Sequence, residues 1–215
     1  MLRFSGLQLV VYKISGGITF LPLFLPLFKL KSMKMNKSTL LAFGLLILTG
    51  SLFRVFGFAP QIAMAIFGGA MIKDKKLAFV LPLVSMLISD CLIELLFING
   101  YFPYGGFYKG QITNYILLTS LTVFGFYIKG LNVSRIAVSA VAAPTTYFLL
   151  SNFIIWANGG GFHRPKTFDG LMMCYADALP FYRSGLVSTL VFSVILFGGY
   201  YLLHRMVLER KAQIA

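Results

Sequence analysis

The stretch "LPLVSMLISDCLIELLF", residues 81–97, is apolar enough to cross a membrane, yet it contains two carboxylates. Asp90 and Glu94 are four residues apart, so a helix places both side chains on one face. Exposing a carboxylate to lipid costs roughly 2.5–3.5 kcal/mol even on a lenient insertion scale, so we expect this face to turn toward a bundle interior or a wet cavity. The stretch therefore predicts a membrane helix with one polar face.

The composition of the whole chain agrees with a membrane protein. Of its 215 residues, 58% are hydrophobic and only 12% are charged, whereas a soluble domain typically has about 25% charged residues. Apolar segments of about 20 residues are long enough to span a bilayer. We predict an all-α bundle of six transmembrane helices, at residues 38–56, 60–72, 77–97, 114–128, 136–156 and 186–204.

The segments between these helices differ in length. Residues 98–113 and 157–185 predict long outer loops, and the second of these contains a predicted short helix over 168–179, capped by Thr167 and stopped by Pro180. The second apolar segment, 60–72, is too short to span upright and is expected to be shielded, tilted or part of a broken helix. Residues 33–215 form the predicted membrane domain.

The first 32 residues do not fit a membrane span or a cleaved signal peptide. Pro22 and Pro26 interrupt the apolar run "TFLPLFLPLF", and no small-residue cleavage site follows it. Met33 and Met35 each precede basic residues and then an apolar run, as a native start before a first membrane helix does. We interpret residues 1–32 as a doubtful N-terminal extension or a disordered tail, a hypothesis that peptide mapping of native protein checks.

The net charge of +13 is distributed unevenly between the connections. Basic residues concentrate at the N-terminal side of the predicted bundle, where they are Lys29, Lys31, Lys34, Lys37, Lys73, Lys75, Lys76, Lys129, Arg135, Arg205, Arg210 and Lys211. The opposite side has only Arg54, Lys109, Arg164, Lys166 and Arg183. The positive-inside rule then places both termini in the cytoplasm. We explain the net charge by membrane topology. Basic and aromatic residues do not alternate in the way that would indicate nucleic-acid binding.

Polar residues converge on the outer third of the predicted bundle. With 1.5 Å of rise per residue, Asp90 lies about 20 Å and Glu94 about 26 Å above the inner surface. Other polar residues fall at the same level at the ends of their segments, and we predict a solute-binding site made of Gln61, Asp90, Glu94, Asn114, Asn152 and Trp156. Arg54 is an ion-pair candidate for either carboxylate, and Trp156 is a candidate for stacking on a ligand ring or for an aromatic-belt anchor.

Signatures of enzymes and metal sites are absent from the sequence. We find no HExxH, GxSxG or P-loop motif, and no cluster of Cys and His that would hold a metal. Cys91 and Cys174 do not make a disulfide framework. We therefore expect no catalytic residues, no metal and no cofactor, and we expect membrane lipid around the bundle.

Several motifs in order resemble those of a known group of membrane proteins. They are the proline-led segment 60–70, "LISD" at 87–90, "SNFIIW" at 151–156, and the run from Gly170 through Cys174 and Tyr175 to "LPF" at 179–181. Together they resemble an uncharacterised bacterial integral membrane family related to the substrate-capture (S) components of energy-coupling factor (ECF) transporters. The resemblance covers about residues 38–203.

The resemblance implies a six-helix fold in the bacterial cytoplasmic membrane that captures a vitamin-like or other small solute from outside. It also implies a separate energising module that drives transport. The Ala-xxx-Ala docking pattern of S components is incomplete here, because Leu46 follows Ala42 at that spacing. Two alternatives to solute capture are a membrane partner or assembly protein with a tightly packed polar cluster, and a membrane enzyme that uses Asp90 and Glu94 as acid and base.

Overall fold

The computed structural model describes residues 60–160 and 162–214, together with residues 50, 52 and 53. Within these ranges every regular element is an α-helix. The helices with both ends among the described residues are α1 (Gln61–Met71), α2 (Lys75–Ile98), α3 (Gln111–Ser120), α4 (Thr122–Phe126), α5 (Val133–Ala157) and α6 (Phe168–Ile214), and residues 50, 52 and 53 are also helical. The predicted first span, 38–56, and the doubtful segment 1–32 lie outside the described residues except at positions 50, 52 and 53.

Three of these helices are long and apolar enough to cross a membrane: α2, α5 and the part of α6 from Phe168 to Met206. The all-helical membrane class predicted from the composition is thus confirmed. Helices α2 and α5 begin at side-chain caps that the sequence provides. Asp74 accepts hydrogen bonds from the amides of Lys76 and Leu77, and Asn132 accepts one from Arg135.

The short helix α1 lies at the centre of the molecule. It has 11 residues, and Ala63, Met64, Ala65 and Ile66 are at most 1% exposed. An isolated helix of this length cannot span a bilayer, which requires about 20 residues. Helix α1 is instead buried against the other helices. This arrangement is the shielded one of the three that we expected for residues 60–72.

Helix α4 crosses α1 at a contact between two glycines. A Cβ atom added to Gly69 would lie 2.2 Å from the carbonyl oxygen of Thr122, and one added to Gly125 would lie 2.2 Å from that of Ile66. Small residues allow helix backbones to approach closely, which favours helix association in membranes. The Gly and Ala content of residues 60–72 is therefore explained by this crossing.

The chain reverses direction between α2 and the α3–α4 pair. Lys75 near the start of α2 lies 4.3 Å from the ring centre of Phe126 at the end of α4, and Phe79 also contacts that ring. At the opposite end, Asp90 of α2 contacts Gln111 and Tyr115 of α3. The loop 99–110, between α2 and α3, therefore lies at the opposite end of the bundle from Lys75.

Helix α6 is longer than predicted. The proline at position 180 was expected to stop a short loop helix, but α6 runs through it for 47 residues, or about 70 Å. The predicted outer loop 157–185 is consequently limited to the segment between Ala157 and Phe168. Membrane helices tolerate proline because neighbouring groups satisfy the freed carbonyl, and Pro82 and Pro144 likewise lie inside α2 and α5. Thr167 does cap the helix, accepting a hydrogen bond from the amide of Gly170.

Candidate functional site

Asp90 is completely buried at the contact between α2 and α3. Its Oδ2 accepts a hydrogen bond of 2.6 Å from Nε2 of Gln111 and one of 2.5 Å from the hydroxyl of Tyr115. Gln111 also donates to the carbonyl oxygen of Gly106, which extends the network into the loop 99–110. These hydrogen bonds join α2, α3 and the loop, so the cluster fixes α3 against α2.

Glu94, one turn later, holds the loop 99–110 against α2. Its Oε2 accepts hydrogen bonds from the amides of Gly106, at 2.8 Å, and Phe107, at 3.4 Å. The loop lies so close to the helix that a Cβ atom on Gly106 would be 1.8 Å from the carbonyl oxygen of Asp90. The two carboxylates thus organise the outer end of α2 and its following loop.

A cavity of about 540 Å³ lies between α1, α3, α5 and α6. Five aromatic side chains contribute to its wall: Tyr147, Phe148, Phe162, Phe181 and Tyr182. Its polar lining includes the amides of Gln61, Asn114 and Asn152, the hydroxyl groups of Ser151 and Ser184, and the carboxylate of Asp177. This combination of apolar wall and few polar groups is typical of small-molecule sites.

Three of the six predicted binding residues line this cavity. Asn114 is fixed by two tyrosines, since its Nδ2 donates to Tyr108 at 2.7 Å and its Oδ1 accepts from the hydroxyl of Tyr147. Asn152 donates to the carbonyl of Phe148 in the preceding turn. Gln61 is 1% exposed and its Nε2 lies 3.5 Å from the carbonyl oxygen of Gly50.

The other three predicted binding residues lie elsewhere. Asp90 and Glu94 do not line the cavity, because their oxygens bind α3 and the loop 99–110. Trp156 is also outside the wall, and its indole donates a hydrogen bond of 2.9 Å to the carbonyl of Pro165. Arg54, the ion-pair candidate, lies outside the described residues, so its pairing stays a prediction.

The loop between α5 and α6 closes one side of the cavity. Phe162 contributes to the wall, and Arg164 forms two hydrogen bonds with Asp177, at 2.9 and 3.0 Å. The hydrogen bonds and the charge of Asp177 raise the pKa of Arg164 above its ordinary value, so the guanidinium stays charged throughout the physiological pH range. Lys166 donates to the carbonyl of Ala157, and Trp156 bonds Pro165, so both ends of the loop are tied to α5.

The sequence analysis did not assign Asp177, Tyr147, Phe148 or Tyr182 to the site. Asp177 and Tyr182 fell in the predicted loop 157–185, whereas the structure places them on α6 facing α5. Thr145 and Tyr182 share a hydrogen bond of 2.9 Å between these helices. Tyr147, Phe148 and Ser151 lie within one turn of α5, before Asn152, and this spacing was the signal that could have identified them.

The described residues include no group of three His, Cys, Asp or Glu side chains that could hold a metal ion. Cys91 and Cys174 are free thiols, Cys91 exposed and Cys174 buried. The described residues that line the cavity offer a solute hydrogen-bonding groups and aromatic rings.

Comparisons with known proteins identify one relationship. No curated protein and no solved structure matches the chain. A family model described as "Family of unknown function (DUF6580)" matches residues 33–212. This match includes all six helices up to residue 212 and every residue that lines the cavity. The chain therefore belongs to the DUF6580 family of unknown function.

Proposed function

We propose that this protein is a membrane transport component that captures a small solute from the outer face of the bacterial cytoplasmic membrane. In this proposal it is a multi-pass protein of six spans with both termini inside. A separate energising module of the ECF type would drive release of the solute to the cytoplasm.

The observation that carries the proposal is the cavity between α1, α3, α5 and α6. Its volume of about 540 Å³ falls within the range of small-molecule sites, which is about 300–1,000 Å³. Asn114 and Asn152, near the outer ends of their helices, line it, so a solute that enters from outside would meet polar groups first. The aromatic side chains would then stack on or enclose the solute.

Native mass spectrometry of gently purified protein tests the proposal. We expect a small-molecule adduct in the wild type, and a weaker adduct in Asn152→Ala, which removes an amide from the wall. Asp90→Asn should leave the contact surface for the solute unchanged, because Asp90 does not line the cavity. A wild-type protein without any adduct under several growth conditions would contradict the proposal.

A specific observation favours the second candidate, a membrane partner or assembly protein. Asp90 and Glu94 are engaged within the fold, by Gln111 and Tyr115 and by the amides of the loop 99–110. That arrangement is what a packed polar cluster predicts. The cavity favours solute capture instead, because a protein that serves only as a scaffold has no need for a cavity with an aromatic wall.

A further inference from the structure

Gln61 has an oxygen that the fold leaves without a partner. The side chain is 1% exposed, and its Oε1 is buried and makes no hydrogen bond within the part of the chain that the structure describes. Reversing the amide would not satisfy this oxygen, since it would bring Oε1 within 3.5 Å of the carbonyl oxygen of Gly50. Most buried side-chain oxygens are hydrogen-bonded, so an exception needs a reason.

The position of Gln61 supplies that reason. It begins α1 and lines the cavity together with Asn114 of α3 and Asn152 of α5. Oε1 is itself buried, but the terminal torsion of a glutamine side chain is soft, so in our proposal the side-chain amide turns to present Oε1 to a molecule in the cavity. An acceptor of this kind selects a molecule that carries an N–H or O–H donor.

The charge of the cavity restricts the molecule further. Of the described residues that line the wall, Asp177 alone is charged at neutral pH, and Arg164 already binds both of its oxygens. The described part of the wall thus offers a charged solute no free counter-charge, and leaving water without one is strongly unfavourable. An uncharged solute avoids this cost.

The aromatic side chains of the cavity indicate the shape of the molecule that binds there. Phe148 lies between the rings of Tyr175 and Tyr182, with ring centres 5.5 and 4.8 Å away, and Phe148 and Tyr182 both line the cavity. Flat π-systems stack favourably on such side chains. We infer that the cavity takes an uncharged, flat aromatic molecule with an N–H donor, and that Oε1 of Gln61 accepts that hydrogen bond. This inference rests on the proposed function.

Four probes that share a benzene ring separate charge from hydrogen bonding. Benzamide is neutral and has an N–H donor, N,N-dimethylbenzamide is neutral and lacks one, benzoate is an anion, and benzamidinium is a cation. Their binding is measured as protection of Cys174, which lines the cavity and is 8% exposed, from alkylation by N-ethylmaleimide. The Cys91→Ser background leaves Cys174 as the only thiol, since the chain has 2 cysteines.

We expect benzamide to protect Cys174 at a concentration about tenfold lower than any of the other three, the effect of one buried hydrogen bond. In Gln61→Met the preference for benzamide over N,N-dimethylbenzamide should disappear. This variant keeps the size of the side chain and removes an unsatisfied oxygen, so its thermal midpoint should equal or exceed that of the parent.

Other outcomes overturn the inference. They are stronger protection by benzoate or benzamidinium, equal protection by both neutral probes, an unchanged preference in Gln61→Met, or no protection by any probe. The order in which the four probes protect Cys174 in the Cys91→Ser protein tests the inference even if Gln61→Met does not fold. These outcomes are independent of the native mass spectrometry experiment, which tests the proposed function separately.

Discussion

Asp90 is the residue on which the attachment of α3 to α2 depends most. Two donors, Gln111 and Tyr115, converge on one of its carboxylate oxygens, and the side chain has no exposed surface. Removing one donor from a buried carboxylate leaves the acceptor less well satisfied. The energetic role of Asp90 is therefore structural, whatever the cavity binds.

Tyr115→Phe tests this role. The change removes only a hydroxyl, and we expect it to lower the free energy of unfolding by about 1–3 kcal/mol, the range for depriving a buried acceptor of its hydrogen-bond partner. Thermal unfolding in detergent measures the effect. Tyr101→Phe is the matched control, because Tyr101 is 79% exposed in the loop 99–110. Equal midpoints for the two variants would show that the Tyr115 hydroxyl contributes nothing to stability.

The sequence grouped the polar residues by depth but could not distinguish those that line the cavity from those that bind other parts of the fold. Depth along a helix placed Asp90, Glu94, Asn114 and Asn152 at one level, and helical spacing put the two carboxylates on one face. Which neighbour each side chain meets depends on the packing of other helices. Gln111, three residues before the predicted start of the fourth segment, donates a hydrogen bond to Asp90, which does not line the cavity.

At the scale of the elements, the crossing of α1 and α4 depends on a pair of glycines. Gly125→Ala would place a Cβ atom 2.2 Å from the carbonyl oxygen of Ile66 and 2.7 Å from Cα of Gly69. Since both obstacles are backbone atoms, the helices must separate. We expect a loss of about 1–3 kcal/mol, as for other overpacked sites, measured by thermal unfolding.

The control for this substitution is Gly198→Ala on α6, where an added Cβ meets nothing within 4 Å. Alanine is also the better helix former there, so the midpoint should stay the same or rise. If Gly125→Ala is as stable as Gly198→Ala, the close crossing does not exist in the protein.

The loop between α5 and α6 is held to α6 by the pair Arg164–Asp177. Both side chains are partly exposed, at 36% and 26%, so the pair contributes little to global stability, about 0–1 kcal/mol. Arg164→Glu should instead loosen the loop and speed dissociation of the bound solute several-fold, with a small change in the thermal midpoint. The exchange Arg164→Asp with Asp177→Arg should restore the slow rate. If neither change alters the dissociation rate of the solute, the ion pair does not help to close the cavity.

Pro180 shows why one element was predicted wrongly. Proline removes an amide donor and usually ends a helix in water, so the sequence predicted a stop and a loop through residue 185. Nothing in the local sequence indicates that α6 continues, because the compensation comes from the surrounding protein and membrane. The caps Asp74, Asn132 and Thr167, in contrast, are local signals, and Thr167 was predicted correctly.

For the whole molecule, orientation in the membrane is the next prediction. Lys75 and Phe126 meet at one end of the bundle and the loop 99–110 lies at the other. The basic residues of the first end should face the cytoplasm. In intact cells, a cysteine introduced at Tyr104, which is 57% exposed, should react with an impermeant maleimide. One introduced at Lys73 should react only after lysis, and the reverse pattern would invert the topology.

The all-helical class and the positions of α2 and α5 could be predicted from hydropathy and caps. The cavity could not, because its wall comes from five helices, α1, α2, α3, α5 and α6, that are distant in sequence. Asn114 and Asn152 are 38 positions apart, yet Tyr147 connects them by binding Asn114 one turn before Asn152 on α5. Such long-range pairing has no periodic signal in a single sequence.

The claim that the cavity binds a small solute is tested most directly by filling it. Ala178 lines the cavity, whereas Ala176 on the same helix is exposed and does not. We expect the small-molecule adduct seen by native mass spectrometry to disappear in Ala178→Trp and to remain in Ala176→Trp, with both variants folded. An adduct that persists in Ala178→Trp, or one that is lost equally from both variants, would contradict the central claim.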